Sequence, residues 1–183
     1  MSGQWVFVCG PSGAGKDSVL DWAATHLAAH QDIVFARRMV TRAVKPGSDH
    51  DPITTEAFTR LMDACRLAWS WQAHGFHYGI DAHYAEQVAG GKTVVVNGSR
   101  EHVAGLKTTR QVRVVQIVAE ASQLAWRMQQ RGRDAPHEIS RRLERNTRFA
   151  GLQADCTILN HGELADAGHQ LVGFLMDTTL SSA

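Results

Sequence analysis

The chain has 183 residues, of which 44% are hydrophobic and 20% charged, and its formal net charge is +1. This length predicts a single domain over residues 1–183 that buries its own core without disulfides, and the near-neutral charge argues against nucleic acid as a partner. No apolar run approaches the roughly 20 residues needed to cross a bilayer, so we expect no membrane partner.

The chain begins with a strand, a helix and a second strand. Residues 4–9 are β-branched or aromatic and are followed by Gly10 and Pro11, which predicts a short buried strand. Apolar residues recur at helical spacing in residues 17–30, and residues 33–36 return to strand character. This is the start of a βαβ unit.

The alternation continues to the end of the chain. Helices are predicted over residues 56–65, 81–89, 120–130, 137–149 and 162–176, and strands over residues 67–73, 93–96, 111–118 and 156–159. Strands that alternate with helices indicate an α/β fold with a parallel sheet covered on both faces.

A glycine-rich loop joins the first strand to the first helix. Its sequence, Gly-Pro-Ser-Gly-Ala-Gly-Lys at residues 10–16, lies in the context that a phosphate-binding loop requires. Glycines let backbone N–H groups converge on phosphate oxygens, and Lys16 can reach the transferring phosphate. The alternative is a glycine-rich turn without a ligand. We predict that Lys16 is catalytic and that ATP is bound by Gly10, Pro11, Ser12, Gly13, Ala14, Gly15 and Lys16.

The residues after Lys16 depart from the usual motif. A Ser or Thr that binds Mg²⁺ normally follows the lysine, whereas here Asp17 comes first and Ser18 second. Carboxylates are good ligands for hard cations, so we predict that Asp17 or Ser18 binds Mg²⁺ beside the nucleotide. The alternative for Asp17 is an acid that complements the helix macrodipole.

Arginines cluster after the second predicted strand. Arg38 and Arg42, with Arg37, can clamp a phosphate of an acceptor bidentately if they face a cleft. Tyr78 and Arg100 are also predicted at strand ends on the same side of a parallel sheet, which favours a binding site over a solvated basic edge.

Histidines and cysteines indicate no zinc site. His74 and His77, together with His83, match no zinc-ligand spacing, and the first two are predicted to line the acceptor pocket or to shape its turn. The three cysteines lie far apart, which favours a reducing cytoplasm. They are Cys9, Cys65 and Cys156.

A second arginine group surrounds Gly132. Such a segment, over about residues 127–145, can close as a lid over ATP, stabilise charge on the moving phosphoryl group and exclude water. We predict that Arg131 and Arg142 are catalytic, while other arginines pair with acids on the helix surface.

Taken together in chain order, the motifs of this sequence resemble those of guanylate kinase-type nucleoside monophosphate kinases over nearly the whole chain. The shared motifs are GPSGAGK at 10–16, RxxTR at 38–42, HGFHYG at 74–79, RGR at 131–133, IxxRL at 139–143 and Asn160. The resemblance implies a three-layer P-loop NTPase fold with a mostly parallel central sheet, a lid, and an acceptor-binding insertion over about residues 37–90. It also places Arg133 and Asn160 near the adenine.

The positions that read guanine in such kinases are changed here. Gln72 stands where a Glu is expected, Ile80 where a Ser or Thr is expected, and Asn97 where an Asp is expected. Guanine N–H donors left unpaired in a buried site would cost roughly 1 to 3 kcal/mol each. GMP is therefore a poor fit.

The same departures resemble the ribose 1,5-bisphosphate phosphokinases of bacterial phosphonate breakdown. They include GKDS at 15–18, NGSR at 97–100 and WxAHGxxYGI at 71–80. This resemblance implies MgATP-dependent conversion of ribose 1,5-bisphosphate to 5-phospho-α-D-ribose 1-diphosphate. It implies an acceptor site made by Arg38, Arg42, His74, Tyr78, Asn97 and Arg100. A nucleoside monophosphate kinase and a non-catalytic interaction module are the alternatives, and a homodimer is left open.

Overall fold

The computed structural model describes residues 3–11, 13–44, 49–106, 111–120 and 152–180. These residues form strands β1 to β9 and helices α1 to α5. The strands are β1 Gln4–Cys9, β2 Ile33–Ala36, β3 Met39–Val40, β4 Asp51–Pro52, β5 Leu67–Ala73, β6 Phe76–Asp81, β7 Thr93–Asn97, β8 Val112–Val118 and β9 Cys156–Leu159. The helices are α1 Lys16–His26, α2 Thr55–Asp63, α3 His83–Ala89, α4 Arg100–Ala104 and α5 Leu164–Leu180.

The central sheet has five parallel strands in the order β2-β7-β1-β8-β9. β1 lies in the middle and all six of its residues are buried, as expected for a parallel strand covered on both faces. Because successive side chains of a strand point to opposite faces, Val6 and Val8 join the core formed with α1 and α5, whereas Phe7 and Cys9 join the core on the other face. The predicted parallel sheet is confirmed.

A second, four-stranded sheet has the order β4-β3-β6-β5. β6 pairs antiparallel with both β5 and β3, and β3 pairs parallel with β4. His74 and Gly75 form the two-residue turn between β5 and β6, with φ of 55° and 78°. Positive φ at both positions suits the right-handed twist of a hairpin, so His74 shapes this turn, as one of its two predicted roles required.

Several predicted boundaries were wrong. The helix predicted over residues 81–89 begins at His83, because Asp81 still pairs with Leu67 as the last residue of β6. α1 ends at His26 instead of residue 30, and α5 runs from Leu164 to Leu180 instead of over 162–176. β3, β4, β6 and α4 were not predicted.

The predicted helices 120–130 and 137–149 and the turn between them lie outside the described residues, apart from residue 120. Within the described ranges, no helix combines the length and the apolar character needed to cross a membrane.

Candidate active site

The phosphate-binding loop leads from the end of β1 to the first residue of α1. Gly13 and Gly15 have φ of 90° and 78°, a left-handed conformation that other residues rarely adopt. A Cβ at Gly10 would lie 2.2 Å from the carbonyl oxygen of Ile117 in β8, so only glycine fits there. Ser12 lies outside the described residues. The loop therefore has the glycine-dependent backbone that its sequence predicted.

Asn160, just after β9, is hydrogen-bonded to the backbone of this loop. Its side-chain amide donates a hydrogen bond of 2.6 Å to the carbonyl of Ala14, and the residue is only 4% exposed. Buried polar groups that are paired in this way fix the backbone to which they bind. Asn160 therefore supports the loop backbone. The prediction that Asn160 lies near the adenine stays a prediction.

Lys16, Asp17 and Asn97 form a closed hydrogen-bonded group at the start of α1. The Lys16 ammonium donates to Asn97 Oδ1 at 2.6 Å and to Asp17 Oδ1 at 3.0 Å. The Asn97 amide nitrogen donates to the same Asp17 oxygen at 2.7 Å. Asp17 Oδ2 accepts no hydrogen bond from a described residue. Asn97 at the end of β7 therefore orients both the loop lysine and its neighbouring acid.

The charges in this group are mutually dependent. Burial lowers the pKa of the Lys16 ammonium, and the adjacent Asp17 carboxylate opposes that shift. Burial alone would raise the pKa of Asp17, but the Lys16 charge and the Asn97 hydrogen bond hold that pKa well below its usual range. The Asp17 side chain is 47% exposed and that of Lys16 is 16% exposed. Asp17 is thus a partly accessible carboxylate that stays ionised at neutral pH.

The arginines after β2 have different surroundings. Arg37 is exposed and pairs with Asp49 and Asp51, as a solvated surface cation does. Arg38, in contrast, forms no ion pair with a described residue, and its guanidinium lies 5.9 Å from the centre of the Tyr78 ring. Burial lowers the pKa of Arg38, whereas the charge of Asp17 raises it. A partly buried guanidinium near the phosphate loop is suited to bind an anion.

The other predicted acceptor residues lie on different elements. The prediction that Tyr78 ends a strand of the parallel sheet was wrong, because it lies within β6 of the mixed sheet and is 6% exposed. Arg100 is the first residue of α4 and follows β7 at the carboxyl end of the parallel sheet, as expected. The Arg42 guanidinium lies 5.6 Å from the centre of the Phe76 ring. His74 is exposed in the β5–β6 turn.

Comparisons with known proteins identify the family. No protein-family model matches the chain. The ribose 1,5-bisphosphate phosphokinase PhnN of Agrobacterium fabrum is 39% identical over 180 residues, which cover 97% of this chain and 98% of the relative. The protein of that name from Methylobacterium radiotolerans is 42% identical over 176 residues, with 96% and 98% coverage. The chain belongs to the ribose 1,5-bisphosphate phosphokinase PhnN family. This PhnN family member is a phosphotransferase.

The solved structures confirm the fold of this PhnN family member. Guanylate kinase from Anaplasma phagocytophilum superimposes with a TM-score of 0.71 over 98% of this chain and 87% of its own, at 16% identity. The chain therefore has a guanylate kinase-like α/β fold, as its motifs predicted.

Sequence reasoning on the PhnN site missed one link between two residues. It treated Asp17 and Asn97 as two separate departures from the usual kinase motifs, although the Asn97 amide donates a hydrogen bond to the Asp17 carboxylate. Their joint departure from the usual residue types was the signal that could have linked them. The predicted lid residues Arg131, Arg133 and Arg142 lie outside the described residues, and their roles stay predictions.

Proposed function

We propose that this enzyme transfers the γ-phosphoryl group of ATP to the 1-phosphate of ribose 1,5-bisphosphate. An oxygen of that phosphate forms a bond to the γ-phosphorus while the bond from this phosphorus to the β–γ bridging oxygen breaks. The products are 5-phospho-α-D-ribose 1-diphosphate and ADP. The observation that carries the proposal is that a phosphate loop ending in Lys16 lies near Arg38, a partly buried cation that makes no ion pair with a described residue.

The donor side of the reaction falls to the phosphate loop. Backbone N–H groups at the start of α1 would bind the ATP phosphates, and Lys16 would neutralise charge on the transferring group. Phosphoryl transfer depends mainly on such positioning and electrostatic stabilisation. The hydrogen bond from Lys16 to Asn97 keeps the ammonium in place before ATP arrives.

Asp17 fits a magnesium site of the kind found in kinases. Mg²⁺ is usually held by one or two carboxylates together with phosphates and water. Asp17 is ionised and half exposed, and its Oδ2 is not engaged by a described residue, which matches a single protein ligand. In the described part of the chain, no group of three or more His, Cys, Asp or Glu residues is placed so that it could hold a metal ion by itself. Ser18, which is also exposed, is the second candidate ligand. The bound ion would neutralise charge on the phosphates.

We assign the phosphates of the acceptor to arginine side chains, and the positions that would pair with a guanine base lack their carboxylates. Arg38, with Arg42 and Arg100, would hold the two phosphates of the sugar. Gln72 and Asn97 carry amides where carboxylates would be needed to pair with the guanine donors. The names of the relatives support the same acceptor.

Arg131 and Arg142 would complete the site from the lid over about residues 127–145, with Arg133 near the adenine. We place acceptor binding in the insertion over about residues 37–90, which contains the mixed sheet. A cytoplasmic location accords with three free cysteines. Whether the protein forms a homodimer would be tested by measuring its molar mass in solution by light scattering.

The deciding experiment compares two acceptors. ADP release is measured with MgATP and either ribose 1,5-bisphosphate or GMP, and the product is identified by phosphorus NMR. A new diphosphate signal with the sugar supports the proposal, whereas turnover with GMP alone refutes it in favour of a nucleoside monophosphate kinase. Failure to bind ATP in calorimetry would favour the non-catalytic module.

A lysine pair tests the mechanism. Lys16→Met is expected to abolish turnover with the fold intact, and Lys92→Met, at the turn before β7, is the matched control expected to retain it. Unchanged activity of Lys16→Met would refute the assigned role.

A further inference from the structure

Four side chains form one continuous stack that ends at Arg38. The His102 ring lies 4.6 Å from the Trp71 ring at an interplanar angle of 23°, and Trp71 lies 5.4 Å from Tyr78 at 7°. The Arg38 guanidinium covers the Tyr78 ring at 5.9 Å. We call His102, Trp71, Tyr78 and Arg38 the aromatic column. It runs from α4 through β5 and β6 to the segment after β2.

Hydrogen bonding does not account for the presence of Trp71 and His102 in the column. Trp71 Nε1 and His102 Nε2 are buried and have no hydrogen-bond partner among the described residues. Burying unpaired polar atoms costs free energy, so an apolar side chain of similar volume would be more favourable if packing alone mattered. What Trp71 and His102 provide is two flat rings, of which His102 stacks on Trp71 and Trp71 stacks on Tyr78.

The other end of the column needs such support. The Arg38 side chain is long and charged, and no carboxylate of a described residue pairs with it to fix its position. A cation over the face of an aromatic ring is attracted by the ring quadrupole, and the parallel Trp71 ring, 5.4 Å from Tyr78, fixes the plane of the Tyr78 ring. The stack thus sets where the guanidinium lies.

We propose that Trp71 and His102 are positioning residues that place Arg38 for the acceptor phosphate through the ring of Tyr78. This inference rests on the proposed function, in which Arg38 binds the acceptor. Trp71 and His102 touch no substrate in this account, so their loss weakens acceptor binding and leaves ATP binding nearly unchanged.

The test uses matched variants of the full chain. Trp71→Leu and His102→Leu remove a ring, whereas Trp71→Phe and His102→Phe keep one. Trp22→Leu is the control, because the half-buried Trp22 stacks on His26 within α1 at 3.5 Å and contacts His169 of α5, and it touches no member of the column. The Michaelis constants for ribose 1,5-bisphosphate and ATP, kcat and the melting temperature are measured for each.

The leucine variants are expected to raise the acceptor KM about tenfold with the ATP KM within about twofold. The phenylalanine variants should keep the acceptor KM within about threefold of the original, and His102→Phe should also melt at a higher temperature because an unpaired nitrogen is removed. Trp22→Leu should lower the melting temperature without a change in either KM. Equal acceptor KM values for the leucine and phenylalanine variants would overturn the proposal.

Two further outcomes separate this inference from the proposed function. If the original chain phosphorylates GMP instead of the sugar, the proposed function fails, and the same variants are measured with GMP, whose phosphate then tests the column. If Arg38→Met leaves the KM of the working acceptor unchanged, the column has no anion-binding group to position, and this inference fails even when the sugar is the substrate.

Discussion

Asn97→Asp changes one group in the Lys16–Asp17–Asn97 cluster and should produce a pH-dependent loss of stability. The substitution keeps the acceptor oxygen that faces Lys16, but it replaces the donor that binds Asp17 Oδ1 at 2.7 Å. Two carboxylates would then lie side by side with a single ammonium between them. The folded state can relieve their repulsion only by taking up a proton.

The contacts of Asn97 set the magnitude. A hydrogen bond to a charged group contributes about 1.5 to 3 kcal/mol, and like charges about 4 Å apart repel by about 4 kcal/mol near a protein surface. Because Asp17 is 47% exposed and Lys16 attracts both acids, screening reduces the second figure. We expect a loss of about 3 kcal/mol of unfolding free energy at pH 8, which corresponds to a melting temperature lower by roughly 6 to 12 °C.

The sign of the pH dependence identifies the cause. A carboxyl whose pKa is raised in the folded state binds its proton more tightly there than in the unfolded chain, so stability falls as pH rises through the window above the ordinary carboxyl pKa. The destabilisation by Asn97→Asp should therefore shrink as the pH is lowered from 8 to 5, by up to about 1.4 kcal/mol per unit.

Urea denaturation at a series of pH values measures this effect. The exchange variant Asp17→Asn/Asn97→Asp restores one acid and one amide, and it should recover most of the lost stability, giving a large coupling free energy between the two positions. Gln72→Glu, an amide-to-acid change on the exposed surface, is the control. A pH-independent loss, or an exchange variant no more stable than Asn97→Asp alone, would refute the reasoning.

Three further predictions rest on single groups. Asn160→Ala should cost about 1 to 3 kcal/mol of unfolding free energy and raise the ATP KM, because the buried Ala14 carbonyl loses its donor; urea titration and steady-state kinetics test both. Burial lowers the pKa of His102 from 6.5, so the unfolding free energy should decrease as pH falls below about 6.5, and His102→Phe should weaken that decrease in denaturation series between pH 5 and 8. Burial raises the pKa of Cys9 to about 11, so a thiol reagent at pH 8 should label exposed Cys65 first and Cys9 only on unfolding, as mass spectrometry would show.

The fold was predictable where local signals and burial agree. β1 and β7 are short apolar runs, and each pairs in the central sheet as its composition indicates. The mixed sheet was harder, because β3 and β4 have two residues each: β3 is held by pairing with β6 and β4 by pairing with β3, instead of by their own sequence. β6 carries polar residues on one face and begins at a turn whose His74 adopts positive φ, so periodicity alone did not separate it from a loop.

The site was predictable where it is local in sequence. The phosphate loop is formed by residues that are adjacent in the chain, and its glycines predicted the positive-φ backbone that Gly13 and Gly15 adopt. The support from Asn160 and the link between Asp17 and Asn97 join positions far apart in the chain, so spacing could not reveal them. The aromatic column was missed for the same reason: Trp71 lies in a predicted strand, but its stacking partner His102 lies on a helix that was not predicted.

The strand order explains why the region after β7 supports both halves of the site. β7 lies between β1, which leads into the phosphate loop, and β2, which leads to Arg38. In a parallel sheet the carboxyl ends of neighbouring strands meet at one edge, so residues just after the central strand of three can reach the segments after both neighbouring strands. Asn97 reaches Lys16 on one side, and His102 begins the aromatic column toward Arg38 on the other. A displacement of this connection would therefore disturb the donor lysine and the acceptor arginine together, whereas a change in Trp71 should disturb the acceptor arginine alone.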